Sequence, residues 1–282
     1  TFGRLAAAIA KVPVVIHHVH TTYSNLQLRH RGIERILSFG TSRIICVAGA
    51  VRENLSTVLG IQSSKTCVIY NAAPCRADTC SQAEVDSVRA AMGIRPGDRV
   101  ITEVASLSDN KGQAVLMEAF HRIAANHERS LLVFVGDGSR RQRLEEQARG
   151  HGLASRVVFA GVRKDVRPVL RLTDVLVLPT TEREGLSVAL VEGLCAGIPL
   201  VGSRLGGIPE VVEDGVNGVL VEPRDAGDLC RALETLLGSP ALRKRMGDAG
   251  RAMYDRKFSL DRMMGQIQAL YDEEIAGTHH AA

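Results

Sequence analysis

Residues Glu182 to Glu210 read E-R-E-G-L-S-V-A-L-V-E-G-L-C-A-G-I-P-L-V-G-S-R-L-G-G-I-P-E. Between Glu184 and Arg204 a single side chain carries a full charge at neutral pH, and it is Glu192. Its neighbours Leu186, Val188, Ala189, Leu190, Val191, Leu194, Ala196 and Ile198 are apolar or small. No face of the segment is polar enough for a solvated helix surface, so it reads as a helix buried on most sides. Gly197 stops that helix, and Pro199-Leu200-Val201 opens a buried strand.

A lone carboxylate on such a helix costs on the order of several kcal/mol unless it is paired, protonated or turned to a polar ligand. No Lys or Arg lies within a helical turn of Glu192. The vicinal hydroxyls of a ribose would satisfy it, because both can donate to one carboxylate. The start of the helix extends the same reading. Gly185-Leu186-Ser187-Val188 places a flexible and a small residue where free N–H groups leave the helix end, a favourable place for phosphate. Glu184, just upstream, would meet a second polyol. Ribose, phosphate and polyol together describe a nucleotide-sugar.

Glu184 and Glu192 are separated by seven intervening residues, followed by A-G-I-P-L-V and then L-G-G-I-P-E. In this register the stretch resembles the donor-binding signature of the family-4 (group 1) retaining glycosyltransferases, whose fold is GT-B. The other reading is that Glu192 pairs inside an ordinary core. The resemblance implies an α/β fold of two Rossmann-like domains whose parallel sheets face a cleft. It implies transfer of a sugar from a nucleotide-diphosphate donor to a glycan or lipid-linked acceptor, with retention and without a metal or other cofactor. The absence of any D-x-D motif agrees with that.

Strict alternation of strands and helices after residue 97 supports the second domain independently. Strands are expected at Arg99–Ala105, Ser130–Val135, Val157–Ala160, Val175–Leu178, Pro199–Val201 and Gly218–Val221, with helices near 111–126, 139–149, 165–172, 186–196 and 207–213. Ligands of such sheets sit beyond the carboxyl ends of the strands. Lys111, Gly136-Asp137-Gly138, Gly161-Val162-Arg163, Glu184 and Gly206-Gly207 all lie just past those ends.

Lys111 opens a helix, where a cation opposes the dipole unless it serves an anion shared with that end. By resemblance Lys111 contacts the donor diphosphate, and Val162 and Arg163 hold the base largely through backbone. Ser106 stands where the family usually has Arg, which removes one of two cations from the phosphate site. Gly136-Asp137-Gly138 lacks the third glycine of a dinucleotide fingerprint. The expected donor-binding set is Ser106, Gly136, Gly138, Val162, Arg163, Gly185, Leu186, Ser187, Val188 and Glu192. His20, Lys111 and Glu184 form the expected catalytic set.

His20 ends a strand read at Val12–Val19, which carries His17 on one face and His18 and His20 on the other. Two strand histidines without a nearby carboxylate or Cys make a poor zinc site. By resemblance His20, and next to it His18, would face the reacting sugar; the plain alternative is a hydrogen-bonded histidine at a strand end. Residues 24–40 read as a helix carrying Arg29, Arg31 and Arg35, and residues 1–60 hold seven basic side chains against two acidic ones. Two readings stand there: a solvated face, or a contact with anionic lipid or a lipid-linked acceptor. Further strands are expected at Arg43–Val47 and Thr66–Tyr70, with helices at Ala48–Leu59 and Ser81–Met92.

The expected organisation is a partial first domain over 1–74, a linker region over 75–96, the nucleotide-sugar domain over 97–257, and a last helix over 258–282 crossing back to the first domain. Asn71-Ala72 replaces the family's usual Asn-Gly. The opening at Thr1 and the missing earlier strands read as a piece of a longer protein, with an open sheet edge beside Val12–Val19. A net charge of +4 gives no case for nucleic acid, and no apolar run has transmembrane length. Six cysteines without a C-x-x-C pair read as reduced thiols of a cytosolic protein, possible contact with the membrane's inner face included; a Cys75–Cys80 bridge is the alternative in an oxidising compartment. Two other functions compete: a non-catalytic nucleotide-sugar-binding subunit, favoured by Ser106, and another GT-B enzyme such as a sugar-nucleotide epimerase or phosphorylase.

Overall fold

The computed structural model describes residues 2–23, 27–74 and 79–279. Two parallel sheets carry the chain. In the first, β1 (Ile16–Val19), β2 (Arg43–Cys46) and β3 (Thr66–Val68) lie in that order, with His18 opposite Ile45 and Ile45 opposite Cys67. The second holds β4 (Arg99–Val104), β5 (Ser130–Val135), β6 (Val157–Phe159), β7 (Val175–Leu178), β8 (Leu200–Ser203) and β9 (Gly218–Val221) in the order β6-β5-β4-β7-β8-β9. The order reverses between β4 and β7, and such a reversal opens a crevice at the strands' carboxyl ends.

The strands read as continuous apolar runs because helices cover both faces of the second sheet. On one face α5 (Gln113–Ile123), α6 (Arg141–Gly150) and α9 (Ala226–Gly238) bury Leu116, Phe120, Leu144 and Leu233 against Ile101, Phe134 and Val177. On the other, α4 (Gln82–Ala91) and α7 (Arg167–Leu170) bury Val85 and Val169 against Val100 and Val133. Helix α4 therefore packs on the second sheet, although its residues fall in the stretch 75–96 read as a linker. It starts with a capping box: Ser81 Oγ accepts from Glu84 N, and Glu84 accepts from Ser81 N.

A third cluster joins the two sheets. Val19, Ile44 and Cys46 of the first sheet, with Val51, Leu55 and Leu59 of α3 (Gly49–Leu59), share one core with Leu190, Val191 and Leu194 of α8 (Val188–Cys195). Tyr254 and Phe258, from the π turn that follows α10 (Pro240–Met253), complete it. The Tyr254 hydroxyl donates to Ala73 O at 2.6 Å. Helix α11 (Leu260–His279) then lies on the first sheet. Leu270 packs with Ile45 and Ile69, and Arg43 pairs with Glu273 and Glu274.

Several elements differ from expectation for local reasons. The strand read at Val12–Val19 is confined to Ile16–Val19. An unforeseen helix α1 (Phe2–Ile9) precedes it, Val12 N turns back to Ala7 O, Lys11 sits at a φ of 52°, and Pro13 has no N–H to give a ladder. Helix α2 spans Leu28–Phe39, and the start of the helix read from residue 24 lies outside the described residues. The helix expected over 207–213 is a single 3₁₀ turn, Ile208–Glu210. Asn217 ends it by accepting from Glu213 N and donating to Val211 O. Cys195 is disulfide-bonded, which corrects the reading of six reduced thiols; the Cys75–Cys80 alternative lies outside the described residues, because Cys75 does.

Candidate functional site

Helix α8 sits on β7 and β8 so closely that a methyl built on Gly193 would lie 2.4 Å from Leu176 Cδ2 and 2.9 Å from Leu200 Cδ2. Leu190, Val191 and Leu194 are buried, and Glu192 is left half-buried beside them. Glu192 has neither an ion pair nor a hydrogen bond among the described residues. Burial, and then the charge of Asp165, push its carboxyl above the usual range. Among the described residues the acid is thus held near another acid with no cation to offset it. Ser187 caps the helix, its Oγ accepting from Leu190 N at 3.4 Å. Val188 and Ala189 are the first two residues of α8, so their N–H groups lie at its positive end with no carbonyl of the helix to receive them.

Lys111 and Glu184 meet at the carboxyl ends of β4 and β7. Lys111 closes a 3₁₀ turn, Asp109–Lys111, ahead of α5, so it does not itself open the helix. Gly112 follows at a φ of 81°, and a Cβ there would lie 1.9 Å from Pro179 O. Thr181 N and Thr180 Oγ1 both donate to Asn110 O, at 2.9 and 2.6 Å. These bonds zip the loop after β4 to the loop after β7. The ammonium of Lys111 then makes a direct ion pair with the Glu184 carboxylate, both largely shielded from water.

The remaining expected donor residues divide. Ser106, Gly136, Val162 and Arg163 line one cavity of about 310 Å³, floored by Val104, Val135 and Val166. Val162 is 78% exposed at its rim, and Arg163 Nε is buried with no partner among the described residues. Gly138 lies apart from that lining: its Cα presses on Leu107, whose carbonyl oxygen would be 2.3 Å from an added Cβ. Gly185 and Leu186 lead into α8, and Val188 is its first residue.

His20 follows β1 on the first sheet and reaches this region through backbone contact. A Cβ on Gly185 would stand 2.1 Å from His20 O, and Thr22 Oγ1 donates to Arg183 O at 3.2 Å. The His20 ring lies 4.3 Å from the His18 ring, tilted by 34°, and its Nδ1 lies 3.4 Å from Asn71 Nδ2. Burial, then His20, lower the pKa of His18, whose Nε2 has no partner among the described residues. His17 faces the other way, and burial, then the Arg4 charge, lower it to about 4. Among the described residues no group of three or more His, Cys, Asp or Glu side chains could hold a metal ion.

Glu103 escaped the sequence reading. It is 1% exposed on β4, accepts from Gln113 Nε2 at 2.8 Å, and leaves its second oxygen without a partner among the described residues. Burial raises its pKa well above the usual range, against the attraction of Lys111. The signal was available: an acid in the apolar run V-I-T-E-V, two residues ahead of the loop that carries Lys111's turn.

Two family models cover most of this chain. "Glycosyl transferases group 1" matches residues 84–253, and "Glycosyltransferase Family 4" matches residues 1–76. The chain belongs to the group 1 glycosyl transferases. The Escherichia coli UDP-Gal:alpha-D-GlcNAc-diphosphoundecaprenol alpha-1,3-galactosyltransferase is 27% identical over 282 residues, which is 97% of this chain and 72% of that protein. The Bacillus anthracis N-acetyl-alpha-D-glucosaminyl L-malate synthase is 27% identical over 179 residues, 64% of this chain and 46% of the enzyme. This group 1 chain thus spans about half the length of some curated relatives it matches. Among solved structures, Anabaena HepE in complex with UDP and glucose superposes with a TM-score of 0.89 at 24% identity, over 96% of this chain and 74% of that one. The sucrose-phosphate synthase of Thermosynechococcus elongatus follows at 0.81 and 21%, over 93% and 68%. The fold of this group 1 member is GT-B, as expected, with two Rossmann-like parallel sheets.

Proposed function

We propose that the chain is the donor-binding part, with a portion of the acceptor side, of a glycosyltransferase that moves a sugar from a nucleotide-diphosphate donor to a glycan or lipid-linked acceptor with retention. The observation that carries this is Glu192, a half-buried acid that no described cation neutralises. Ribose hydroxyls supply the missing donors. The apolar cavity between Val104, Val135 and Val166 suits a flat base, with Ser106, Gly136, Val162 and Arg163 around it. The N–H groups after Ser187 take a phosphate.

Donor binding then rearranges one pair of charges. The diphosphate attracts Lys111, and the hydroxyls of the donor sugar replace it on Glu184. Lys111 and the α8 amides stabilise the charge that grows on the departing diphosphate as the anomeric carbon leaves it for an acceptor oxygen. His20 faces the sugar from the first sheet. No metal is assigned a role. The UDP bound by HepE and the UDP-galactose in the name of the E. coli relative favour UDP, while a GDP-mannose-dependent mycobacterial relative keeps GDP in the comparison.

Calorimetric titration with UDP, GDP and ADP tests the site. One diphosphate is expected to bind the wild type and to bind Glu192→Gln about tenfold more weakly. Equal affinity in both would remove the ribose role. Transfer assayed with the corresponding nucleotide-sugars separates an enzyme from a non-catalytic binding subunit.

A peripheral membrane contact is part of the same proposal. Leu28, Ile36 and Phe39 of α2 are 83%, 69% and 75% exposed beside Arg29 and Arg31. That mixture suits anionic lipid on the cytoplasmic face, and no described helix is long and apolar enough to cross a membrane. Co-sedimentation with vesicles containing phosphatidylglycerol, but not with pure phosphatidylcholine, is the expected result.

A further inference from the structure

The run G-G-I-P-E ends in Glu210, and its carboxylate bonds to the other sheet's helix. Glu210 Oε2 accepts from Gly49 N at 2.7 Å, and Oε1 accepts from Ala50 N at 2.8 Å. These are the first two amides of α3. That helix brings no cap of its own: Ala48 stands at the N-cap, and the first turn holds no acid. A carboxylate placed there satisfies two orphan donors and meets the positive end of the helix. It comes from a residue 160 positions away in sequence. Lys257 Nζ donates to Glu210 O at 3.3 Å. Burial, followed by the charge of Glu210 and a hydrogen bond to it, pushes the Tyr70 phenol up to about 12.

Two glycines connect this contact to the donor loop. Gly207 N donates to Glu184 O at 3.1 Å. A Cβ on Gly207 would lie 2.0 Å from Gly185 O and 3.1 Å from Ala48 Cβ, and one on Gly206 would lie 2.5 Å from Glu184 O. Gly185 in turn touches His20 O. The backbone of Glu184 and Gly185 is therefore clamped between the segment that ends in Glu210 and the strand end that carries His20.

We propose that Glu210 is a positioning residue, a latch that holds the second sheet's donor loop against the N-terminus of α3 and so fixes His20 relative to Glu184. Its effect on transfer rests on the glycosyltransferase reading above; the latch itself does not. Replacing Glu210 by Gln keeps the shape and removes the charge. Replacing Gly49 by Ala acts from the other side, since its Cβ would lie 3.1 Å from Glu210 Oε2 and 3.4 Å from Oε1.

The test combines hydrogen exchange, binding and turnover on the whole chain. In Glu210→Gln, amide exchange at Gly49 and Ala50 is expected to rise about tenfold, the size of a typical lost cap. UDP or GDP, whichever the wild type binds, should keep its Kd within about twofold, while kcat falls about tenfold at an unchanged donor KM. Gly49→Ala should move exchange and kcat the same way by less. Unchanged exchange at both amides in both variants overturns the latch, whatever the activity. Raised exchange with an unchanged kcat overturns the positioning role. Absence of transfer in a wild type that still shows the exchange difference overturns the glycosyltransferase reading and upholds the latch.

Discussion

The loop after β7 and helix α8 each bring one glutamate to the carboxyl edge of the second sheet, and they treat its charge in opposite ways. Glu184 is neutralised within the protein by Lys111. Among the described residues, Glu192 stands with only another acid, Asp165, near enough to shift it. A paired acid is a group whose partner must be displaced before it can serve a ligand. An unpaired one is a standing penalty that a ligand relieves. The difference separates a residue that reorganises on binding from one that binds first.

The largest expected effect comes from breaking the paired side. Lys111→Ala strands Glu184 and removes the cation assigned to the leaving diphosphate, and kcat should fall on the order of a hundredfold. Lys111→Ala/Glu184→Ala should recover stability lost in the single variant while transfer stays lost; recovered transfer would mean that neither residue acts in the reaction. Steady-state kinetics and denaturant melts of the three variants decide this.

On the unpaired side, Glu192→Leu should stabilise the ligand-free protein by about 1 kcal/mol, after allowance for the water that reaches a half-buried side chain, while nucleotide binding is lost. The pH dependence has a definite sign. An acid whose folded pKa is raised binds more protons folded than unfolded, so stability falls as pH climbs from the ordinary value of 4.5 to the higher folded value. Glu192→Gln should flatten that slope in pH-resolved melts. His17 contributes the opposite sign: its pKa drops from 6.5 to about 4, so its share of stability is lost as pH falls through that window.

Smaller effects sharpen the contrast. Ser106→Arg would return a cation near the phosphate site and should tighten diphosphate binding about fivefold in titration. A much larger gain would mean that Lys111 is held by Glu184 even with donor bound. Ser81 bonds to Glu84 and to neither of the two site glutamates, so Ser81→Ala removes the cap of α4 and should cost about 1 kcal/mol with the diphosphate Kd unchanged.

The architecture of the second sheet was legible because β5 and β7 are fully buried, so that β7 is wholly apolar in sequence and β5 is apolar after Ser130. The isolated acid of α8 was legible for the same reason: a lone charge is conspicuous in such a run. Its surroundings were not. The bond between Lys111 and Glu184 joins residues 73 positions apart, and it is made by Gly112 and Thr180 rather than by either partner. Periodicity also missed α1, an Ala-rich segment whose inward residue is Arg4, paired with Glu34, while Phe2 and Ile9 point outward. The strand at β1 looked longer than it is because Val12 and Val14 are good strand residues, and only Lys11's turned backbone and the missing donor of Pro13 shorten it.

The core shared by the first sheet, α3, α8 and the π turn has a mechanical corollary. A hinge that opens widely must expose apolar surface, and Val19, Val51, Leu190 and Phe258 all lie in one cluster bridging the halves. Breathing of the cleft is therefore confined to small shear, and heating should melt both halves in a single calorimetric peak.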